Sequence, residues 1–419
     1  MQSTAPVWLT DRVQLLDVLR GFAILGIFMM NLYGFSFYWA FTESEKAGMA
    51  LARYDETVSF LHIMIFEGKF YSIFSLLFGV GFAIYLKKSG TEKNVLRLFK
   101  RRLVILLFIG IFHLLLWSGD IVSFYAILGF LLIPFRRFSN KELLILAGFC
   151  ILSPIAWYAL RMTFPGVLDV SQQMIGFSIK MDERLGVHSE KDLANALAGT
   201  DIFRMVRLNL DGIIWRYGDL LFQSRHFKVF GMFLVGFVVG RSEFYKHLAA
   251  KKSLLIKLCV AGFIIGLPAN YLLALFQKQP GYYQLTANGM KQTIAYAIGV
   301  APLAMGYCSL LALLYIQRGV KIFLDRLAPV GRMALTNYLM HTFIGILVFT
   351  KLGFGIQNWG PTILTIFALV VFAIQVLIST WWLRYFRFGP VEWIWRQLTY
   401  GNRMAIKKQN SKNIQNQYA

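Results

Sequence analysis

About ten long apolar stretches run along this chain, and the polar gaps between alternate pairs of them are rich in Lys and Arg. Stretches of roughly 18 or more apolar residues have the length of a bilayer-spanning helix. Because lipid offers no hydrogen-bond partners, a spanning segment must pair its own backbone groups, as a helix does. The sequence therefore predicts an all-α polytopic membrane protein with about ten transmembrane helices. Each polar side chain within a stretch then acquires a depth in the bilayer.

The order of apolar and polar segments divides the chain into four regions. We expect an N-terminal five-helix membrane bundle over residues 1–160, an extracytoplasmic helical loop over 161–226, a C-terminal five-helix membrane region over 227–400 and a disordered cytoplasmic tail over 401–419. Within the loop, Ser189 and Asp192 form a capping pattern that indicates a helix start. An interfacial helix is expected after Gly389, where Pro390 opens a segment containing two tryptophans. The predicted spans are residues 15–37, 70–86, 103–117, 121–135, 143–160, 227–240, 254–276, 290–316, 330–350 and 362–386.

The charge distribution predicts the orientation. Seven basic residues lie between positions 87 and 102, and seven more lie between 384 and 412, whereas the opposite linkers are acidic or nearly neutral. The positive-inside rule assigns the basic side to the cytoplasm, so both termini are expected there. The net charge of +22 then reflects contact with anionic lipid of the bilayer, and no nucleic-acid motif accompanies it.

Ionisable side chains inside spans are costly and are therefore candidates for function. His113 is the main candidate, since an imidazole can accept a proton or carry an acyl group. Asp120 lies seven residues further on, where it could orient that imidazole. Two plainer readings stay open. His113 could bridge two helices by a hydrogen bond, and Asp120 could cap the next helix.

Other polar residues fall at defined depths. The predicted topology puts Asn31 in the outer third of the first span, Glu67 and Lys69 at the outer mouth of the second, and Asn337 and His341 near the middle of the ninth. The last two could instead bridge helices, and Lys69 could snorkel to the interface.

At the inner end of the first span, Asp17 and Arg20 are spaced i,i+3. They could form an ion pair that fixes the helix depth, or Arg20 could hold a phosphate of a cytoplasmic ligand. The three cysteines, Cys150, Cys259 and Cys308, lie in apolar spans without metal-type spacing, and we expect no metal site. No phosphate-binding loop, dinucleotide motif or nucleophile elbow is present.

Five blocks of the sequence stand out in order along nearly the whole chain, at residues 16–26 with Asn31, 68–81, 113–126, 331–338 and 389–401. Together they resemble the YeiB-like family of polytopic bacterial membrane proteins. The resemblance implies a multi-pass protein of the bacterial cytoplasmic (inner) membrane. The family is in turn similar to membrane-embedded acyltransferases, including the lysosomal enzyme that acetylates heparan glucosamine, through the Leu-Arg-Gly opening of the first span.

Those relatives imply transfer of an acyl group from cytoplasmic acyl-CoA or acetyl-CoA to an outer acceptor such as an envelope sugar. In the glucosamine enzyme the active histidine closely follows the asparagine of the first span, but here no histidine lies between Asn31 and His62. We therefore assign that role to His113 as a hypothesis.

In this hypothesis Asn31 or Asn337 stabilises the oxyanion, while Arg20, Asp17, Glu67, Lys69 and His341 are candidate binding residues. The expected partners are the lipid bilayer and a small-molecule acceptor, and a homodimer is left open. The alternatives are a transporter or exporter of a small solute and a non-catalytic signalling or scaffold protein.

Overall fold

The computed structural model describes residues 13–87, 91–164, 169–279 and 285–408. Parts of two predicted regions, residues 1–12 and the tail 409–419, lie outside the described residues, as do the basic residues Lys88 and Lys412. All the regular secondary-structure elements in the described part are helices. They are α1 Gln14–Phe35, α2 Glu43–Ala47, α3 Ala52–Leu61, α4 Lys69–Leu86, α5 Glu92–Leu116, α6 Val122–Leu132, α7 Asn140–Thr163, α8 Val170–Arg184, α9 Glu190–Leu197, α10 Ile202–Phe222, α11 Arg225–Arg241, α12 Lys252–Gln277, α13 Ala287–Ile316, α14 Arg318–Leu324, α15 Ala328–Arg332, α16 Ala334–Phe349, α17 Pro361–Tyr385 and α18 Pro390–Tyr400.

Six helical segments in the described ranges are long and apolar enough to cross a membrane. The all-α class and the membrane character are thus confirmed, but the count of ten is not. Three predicted spans correspond to helices of 11, 17 and 16 residues, namely α6, α11 and α16, whereas a full crossing needs about 20. The six are Gln14–Phe35, Ala52–Leu86, Asn140–Thr163, Lys252–Gln277, Ala287–Ile316 and Pro361–Tyr385.

Large apolar side chains cover much of the outer surface. Phe108 and Phe149 are each 67% exposed and Leu377 is 70% exposed. Apolar side chains in such number on the outside of helices are unfavourable in water and favourable against lipid tails. The surface therefore fits contact with a bilayer.

The second candidate span is interrupted by a turn. A π-helical segment, His62–Phe66, follows α3, and Gly68 then adopts a left-handed φ of 82° before α4 begins. A Cβ at Gly68 would lie 2.3 Å from the Tyr296 hydroxyl, so only glycine allows the chain to pass α13 this closely. The turn lets the chain change direction where Glu67 and Lys69 lie.

Helices α4 and α11 pack at very short range. A Cβ on Gly79 would lie 2.0 Å from the Phe233 carbonyl oxygen, and one on Gly236 would lie 1.9 Å from that of Leu76. The rings of Phe78 and Phe233 stack beside this contact at 4.4 Å. Small residues at a helix interface allow such an approach in a membrane, where packing replaces the hydrophobic effect.

The segment between α7 and α11 forms the helices α8 to α10. Ser189 accepts a hydrogen bond from the Asp192 backbone N–H at 3.1 Å, so the predicted capping pattern is confirmed as the start of α9. Arg161 at the end of α7 is 1% exposed. It bonds the Phe222 carbonyl at 3.0 Å and the Asp169 carboxylate at 3.2 Å. One buried guanidinium thus ties both ends of this segment to α7.

Candidate active site

A carboxylate, an imidazole and a hydroxyl form a continuous hydrogen-bonded chain in the protein interior. His113 Nδ1 lies 2.8 Å from Asp120 Oδ1. On the other side of the ring, His113 Nε2 lies 2.7 Å from Thr342 Oγ1. The three residues come from the end of α5, the following turn and α16. Their order is that of a hydrolytic triad, in which a carboxylate orients a histidine that contacts a hydroxyl.

Asp120 makes a contact with His113 and another at the start of the next helix. While Oδ1 contacts His113, Oδ2 accepts hydrogen bonds from the backbone N–H and the hydroxyl of Ser123, each at 2.8 Å. The backbone bond caps the start of α6. Because both oxygens are engaged, the carboxylate is fixed in position, and His113 is fixed with it.

The turn that carries Asp120 is held by close helix contact. A Cβ on Gly110 of α5 would lie 2.3 Å from the Ser123 backbone nitrogen. The two helices can therefore approach only because position 110 is glycine. This approach brings Asp120 back towards His113, one turn into α5.

Helix α10 covers the turn. The Tyr217 hydroxyl donates to Ser123 Oγ at 3.0 Å, and Arg216 Nη2 donates to the Gly119 carbonyl at 3.3 Å. The Ser118 backbone N–H donates to the Asn209 side-chain oxygen at 3.2 Å. The helical segment between α7 and α11 thus closes the site from one end.

The site is buried. His113 is 2% exposed, and Asp120 and Thr342 are each 1% exposed. The Tyr338 ring lies 5.2 Å from the imidazole and the Trp117 ring lies 6.0 Å from it. Excluding water in this way strengthens the electrostatic coupling between the carboxylate and the imidazole.

Asn337 and His341 belong to a second cluster. His341 Nε2 lies 3.1 Å from Gln375 Oε1, and Gln375 Nε2 donates to the Asn337 carbonyl at 3.3 Å. The His341 ring stacks on Phe28 at 4.0 Å. Helix α16 therefore presents His341 to α1 and α17, and it presents the next residue, Thr342, to the His113 site.

The Asn337 amide is already engaged. Its Nδ2 donates to the carbonyls of Val330 and Met333 at 3.3 and 3.1 Å and to Ser379 Oγ at 3.1 Å. These contacts use both amide hydrogens and join α15, α16 and α17. Asn31, by contrast, is half-buried in α1, and no hydrogen bond links its side-chain amide to another described residue.

Arg20 and Asp17 form an ion pair at the opposite end of α1. Arg20 Nη1 lies 2.8 Å from Asp17 Oδ1, with side-chain exposures of 27% and 2%. A Cβ on Gly331 would lie 1.8 Å from the Asp17 carbonyl oxygen, so α15 packs directly on this turn of α1. The pair is separate from the His113 site.

Glu67 and Lys69 lie apart from both clusters, at the turn that follows the π-helical segment. Lys69 is 0% exposed and its ammonium donates to the Ile63 carbonyl at 2.7 Å. It therefore does not snorkel to the surface. Glu67 accepts a hydrogen bond from Gln277 at 3.3 Å.

Four residues in or near these clusters were not predicted from the sequence. Thr342 gave no signal beyond its place next to His341, and Ser123 and Tyr217 gave none. His62 is not among the candidate residues of the sequence hypothesis. It is 3% exposed, with Nδ1 2.9 Å from the Tyr33 hydroxyl and Nε2 3.0 Å from that of Thr365.

The described ranges contain no group of three His, Cys, Asp or Glu residues placed to hold a metal ion. The geometry of the His113 site instead resembles that of sites where a base activates a hydroxyl.

Comparison with known proteins finds similar chains in bacteria. Residues 239–402 match the family described as protein of unknown function (DUF418). The chain is 30% identical to the "Uncharacterized protein YxaH" of Bacillus subtilis (strain 168), over 97% of this chain and 99% of that one. It is 30% identical to the "Uncharacterized protein YeiB" of Escherichia coli (strain K12), over 93% of this chain and 96% of that one. No solved structure matches the chain.

Proposed function

This chain belongs to the YeiB-like family of bacterial membrane proteins, and we propose that it passes an acyl group from a cytoplasmic thioester to an acceptor on the outer side of the membrane. One observation carries the proposal. His113 is held between the Asp120 carboxylate at 2.8 Å and the Thr342 hydroxyl at 2.7 Å. That arrangement is the one by which a buried base activates a hydroxyl for attack on a carbonyl carbon.

Each member of the chain has a distinct role. Asp120 accepts a hydrogen bond from the Nδ1–H of His113, which leaves Nε2 as the basic nitrogen facing Thr342. Asp120 is a positioning residue, because it acts through the imidazole. Thr342 is the acyl carrier and His113 is the general base, which contributes roughly 10²- to 10⁴-fold to such reactions.

The reaction has two balanced halves. In the first, His113 Nε2 takes the Thr342 proton as Oγ1 attacks the thioester carbonyl. The carbon–sulfur bond breaks, and the thiolate leaves and takes the proton from His113, giving a Thr342 ester and free coenzyme A. In the second, an acceptor hydroxyl gives its proton to His113 and attacks the ester carbonyl. The Thr342 oxygen leaves and regains the proton, giving an acylated acceptor.

The donor end needs cationic groups for the coenzyme A phosphates. Arg20 is partly exposed at the start of α1. Arg101 and Arg403 line a surface groove of about 360 Å³ between α5 and α18. Guanidinium groups match phosphate oxygens in geometry and charge. These features support a donor site at the end of the molecule where the basic linkers lie.

The oxyanion of each half-reaction needs a hydrogen-bond donor. Asn31 is the better candidate of the two asparagines, because the Asn337 amide is bonded within its own cluster. Glu67, Lys69 and His341 remain candidates for contact with the acceptor.

The setting of this reaction is also a proposal. Ten crossings with both termini in the cytoplasm of a bacterial inner membrane would put α8 to α10 outside, over the His113 site. The four regions 1–160, 161–226, 227–400 and 401–419 then serve as membrane bundle, cap, second membrane region and tail. The basic linkers and the covering contacts of Arg216 and Tyr217 support this placement.

A test that needs no known acceptor uses the covalent intermediate. Purified protein in liposomes is incubated with acetyl-CoA carrying a labelled acetyl group, denatured, digested and mapped by mass spectrometry. We expect label on Thr342 in the native protein and none in His113→Asn. The control His247→Asn removes an exposed histidine elsewhere and should label normally.

Asp120→Asn should lower the labelling rate with an unchanged half-saturating thioester concentration, because the site stays intact while the imidazole loses its orientation. Label that persists in His113→Asn, or that maps to another residue, refutes the assignment. Solute flux through the liposomes without any thioester consumption would favour a transporter.

A further inference from the structure

Two cations at the start of α11 face a pair of tyrosines from α4 and α13. The Lys228 ammonium lies 3.6 Å from the centre of the Tyr296 ring. The Arg225 guanidinium lies 5.3 Å from the centre of the Tyr71 ring. The two tyrosine hydroxyls are 2.8 Å apart. The four side chains therefore form one cluster, called here the α11 cluster, which the acyl-transfer scheme does not use.

Within the described ranges, no carboxylate forms an ion pair with either cation of the α11 cluster. Lys228 is only 8% exposed, yet its ammonium makes neither a hydrogen bond nor an ion pair with any described residue. Among the residues that the structure describes, Arg225 donates only through Nε, to Gln223 at 2.8 Å. Burying a charge without a counter-charge costs several kcal/mol. A buried cation such as Lys228 is therefore expected where a bound group supplies a negative charge.

The nearby carboxylates are engaged elsewhere. Asp219 accepts hydrogen bonds from Arg216 at 3.4 Å and Gln223 at 2.7 Å. Glu67 accepts from Gln277. Both act electrostatically on Arg225 and Lys228, but neither forms an ion pair with them within the described ranges. The α11 cluster therefore lacks a negatively charged group in direct contact.

The α11 cluster is also rich in donors and poor in acceptors. The ammonium has three N–H groups and the guanidinium has four beyond the one it shares with Gln223. When one tyrosine hydroxyl donates to the other, the second keeps a proton for which no described residue is the acceptor. A ligand that suits this set offers several oxygen acceptors and negative charge.

We propose that the α11 cluster binds a phosphate-type anion. The Arg225 fork matches two phosphate oxygens, Lys228 supplies a point charge, and a tyrosine O–H reaches a further oxygen. The positive end of the α11 dipole adds to the attraction. The Tyr71 and Tyr296 rings give an apolar wall for the organic group attached to the phosphate.

Two sources could supply this phosphate. One is a soluble phosphate ester, and the other is the headgroup of an anionic lipid. The site depends on its own charge balance and not on acyl transfer. His113→Asn and Thr342→Val should therefore bind the anion as the native protein does, so that failure of one proposal leaves the other intact.

The test uses full-length protein purified in dodecyl maltoside, a detergent without phosphate. Calorimetry measures binding of inorganic phosphate, and native mass spectrometry measures retention of added phosphatidylglycerol. Lys228→Met and Arg225→Gln should weaken one or both by about 10- to 100-fold, as expected for loss of a charge-assisted contact. Arg225→Lys keeps the charge but loses the fork, so it should weaken binding less than Arg225→Gln does. Lys278→Met, which removes a lysine paired with Glu56 at the surface, is the matched control.

Thermal unfolding separates ligand binding from a structural role. Lys228→Met should unfold at a higher temperature than the native protein without ligand, because it removes a buried charge that has no ion-pair partner among the described residues. It should gain nothing from phosphate. Loss of phosphate binding in the variants supports a soluble ester, and loss of lipid retention alone supports a headgroup. Equal binding of both in native and variant protein overturns the proposal. So does a lower unfolding temperature for Lys228→Met with no response of the native protein to either anion.

Discussion

The carboxylate of Glu392 accepts a hydrogen bond of 2.7 Å from the backbone N–H of Leu335, in the first turn of α16. It also accepts one from the Thr336 N–H at 3.1 Å. A helix leaves its first N–H groups unpaired, and its positive end favours an anion. A side chain of α18 therefore caps the helix that carries Thr342.

Replacing Glu392 with Ala should destabilise the protein by about 1–3 kcal/mol, because two backbone donors lose their acceptor. Glu392→Gln keeps one oxygen acceptor and should cost less. Unfolding temperature in detergent measures the change. Gln397→Ala, on the same helix, should have little effect, and an equal loss in both variants would show that the cap is unimportant.

Thr342→Val removes the hydroxyl that contacts His113 and keeps the shape of the side chain. If Thr342 carries the acyl group, release of coenzyme A should fall by about 10²- to 10⁴-fold, while Thr342→Ser should keep measurable activity. A thiol-reactive dye follows the release. Thr350→Val is the control, because the Thr350 hydroxyl bonds only within α16 and its end, to the Ile346 carbonyl and the Leu352 N–H. Full activity in Thr342→Val would contradict the carrier role.

Gly79 and Gly81 make a matched pair for testing the α4–α11 contact. A Cβ at Gly79 would clash with the α11 backbone, whereas one at Gly81 would meet nothing within 4 Å. Gly79→Ala should destabilise by about 1–3 kcal/mol, because overpacking pushes the helices apart. Gly81→Ala should be neutral or stabilising by up to about 1 kcal/mol, since it reduces unfolded-state entropy. Comparable unfolding temperatures for the two variants would argue against the close contact.

The stability of the folded protein should depend on pH through Asp182 of α8. Burial, together with the charge of Asp211, raises the pKa of the Asp182 carboxyl to about 6, above its unfolded value of about 3.9. Between these values the folded state binds more protons than the unfolded state, so stability falls as pH rises from about 4 to 6. Asp182→Asn should raise the unfolding temperature at pH values above this window and should flatten the dependence on pH. Glu183→Gln, at the exposed neighbouring carboxylate, should keep the native profile.

Much of the helical pattern was predictable because apolar runs and capping residues act locally. The start of α9 at Ser189 and the long apolar helices α1, α7, α12, α13 and α17 follow from such signals. The bend at Gly68 was not predictable, because its cause is the Tyr296 side chain, more than two hundred residues away. The helix lengths of α6 and α16 were also missed, since hydropathy marks apolar residues but not where the backbone bends.

Only two of the three residues of the candidate site, His113 and Asp120, could be predicted from the sequence. His113 and Asp120 could be paired because seven residues and a Gly-containing turn bring them to one end of adjacent helices. Thr342, which completes the arrangement, lies 229 residues from His113, and no local rule selects one threonine among many. The same applies to Tyr217 and to the cations of the α11 cluster.

The sequence by itself determined that this chain is helical and contacts a bilayer, because hydropathy and backbone pairing in lipid depend on composition over short windows. Only the tertiary structure decided which polar groups meet. It brought Asp120 into contact with His113 and Ser123 and set Lys69 against a backbone carbonyl. It placed Lys228 over the Tyr296 ring with no carboxylate in direct contact among the described residues. The physical reason is that such contacts depend on how distant helices pack, and glycines such as Gly110 and Gly236 set that packing only once a specific neighbour lies against them.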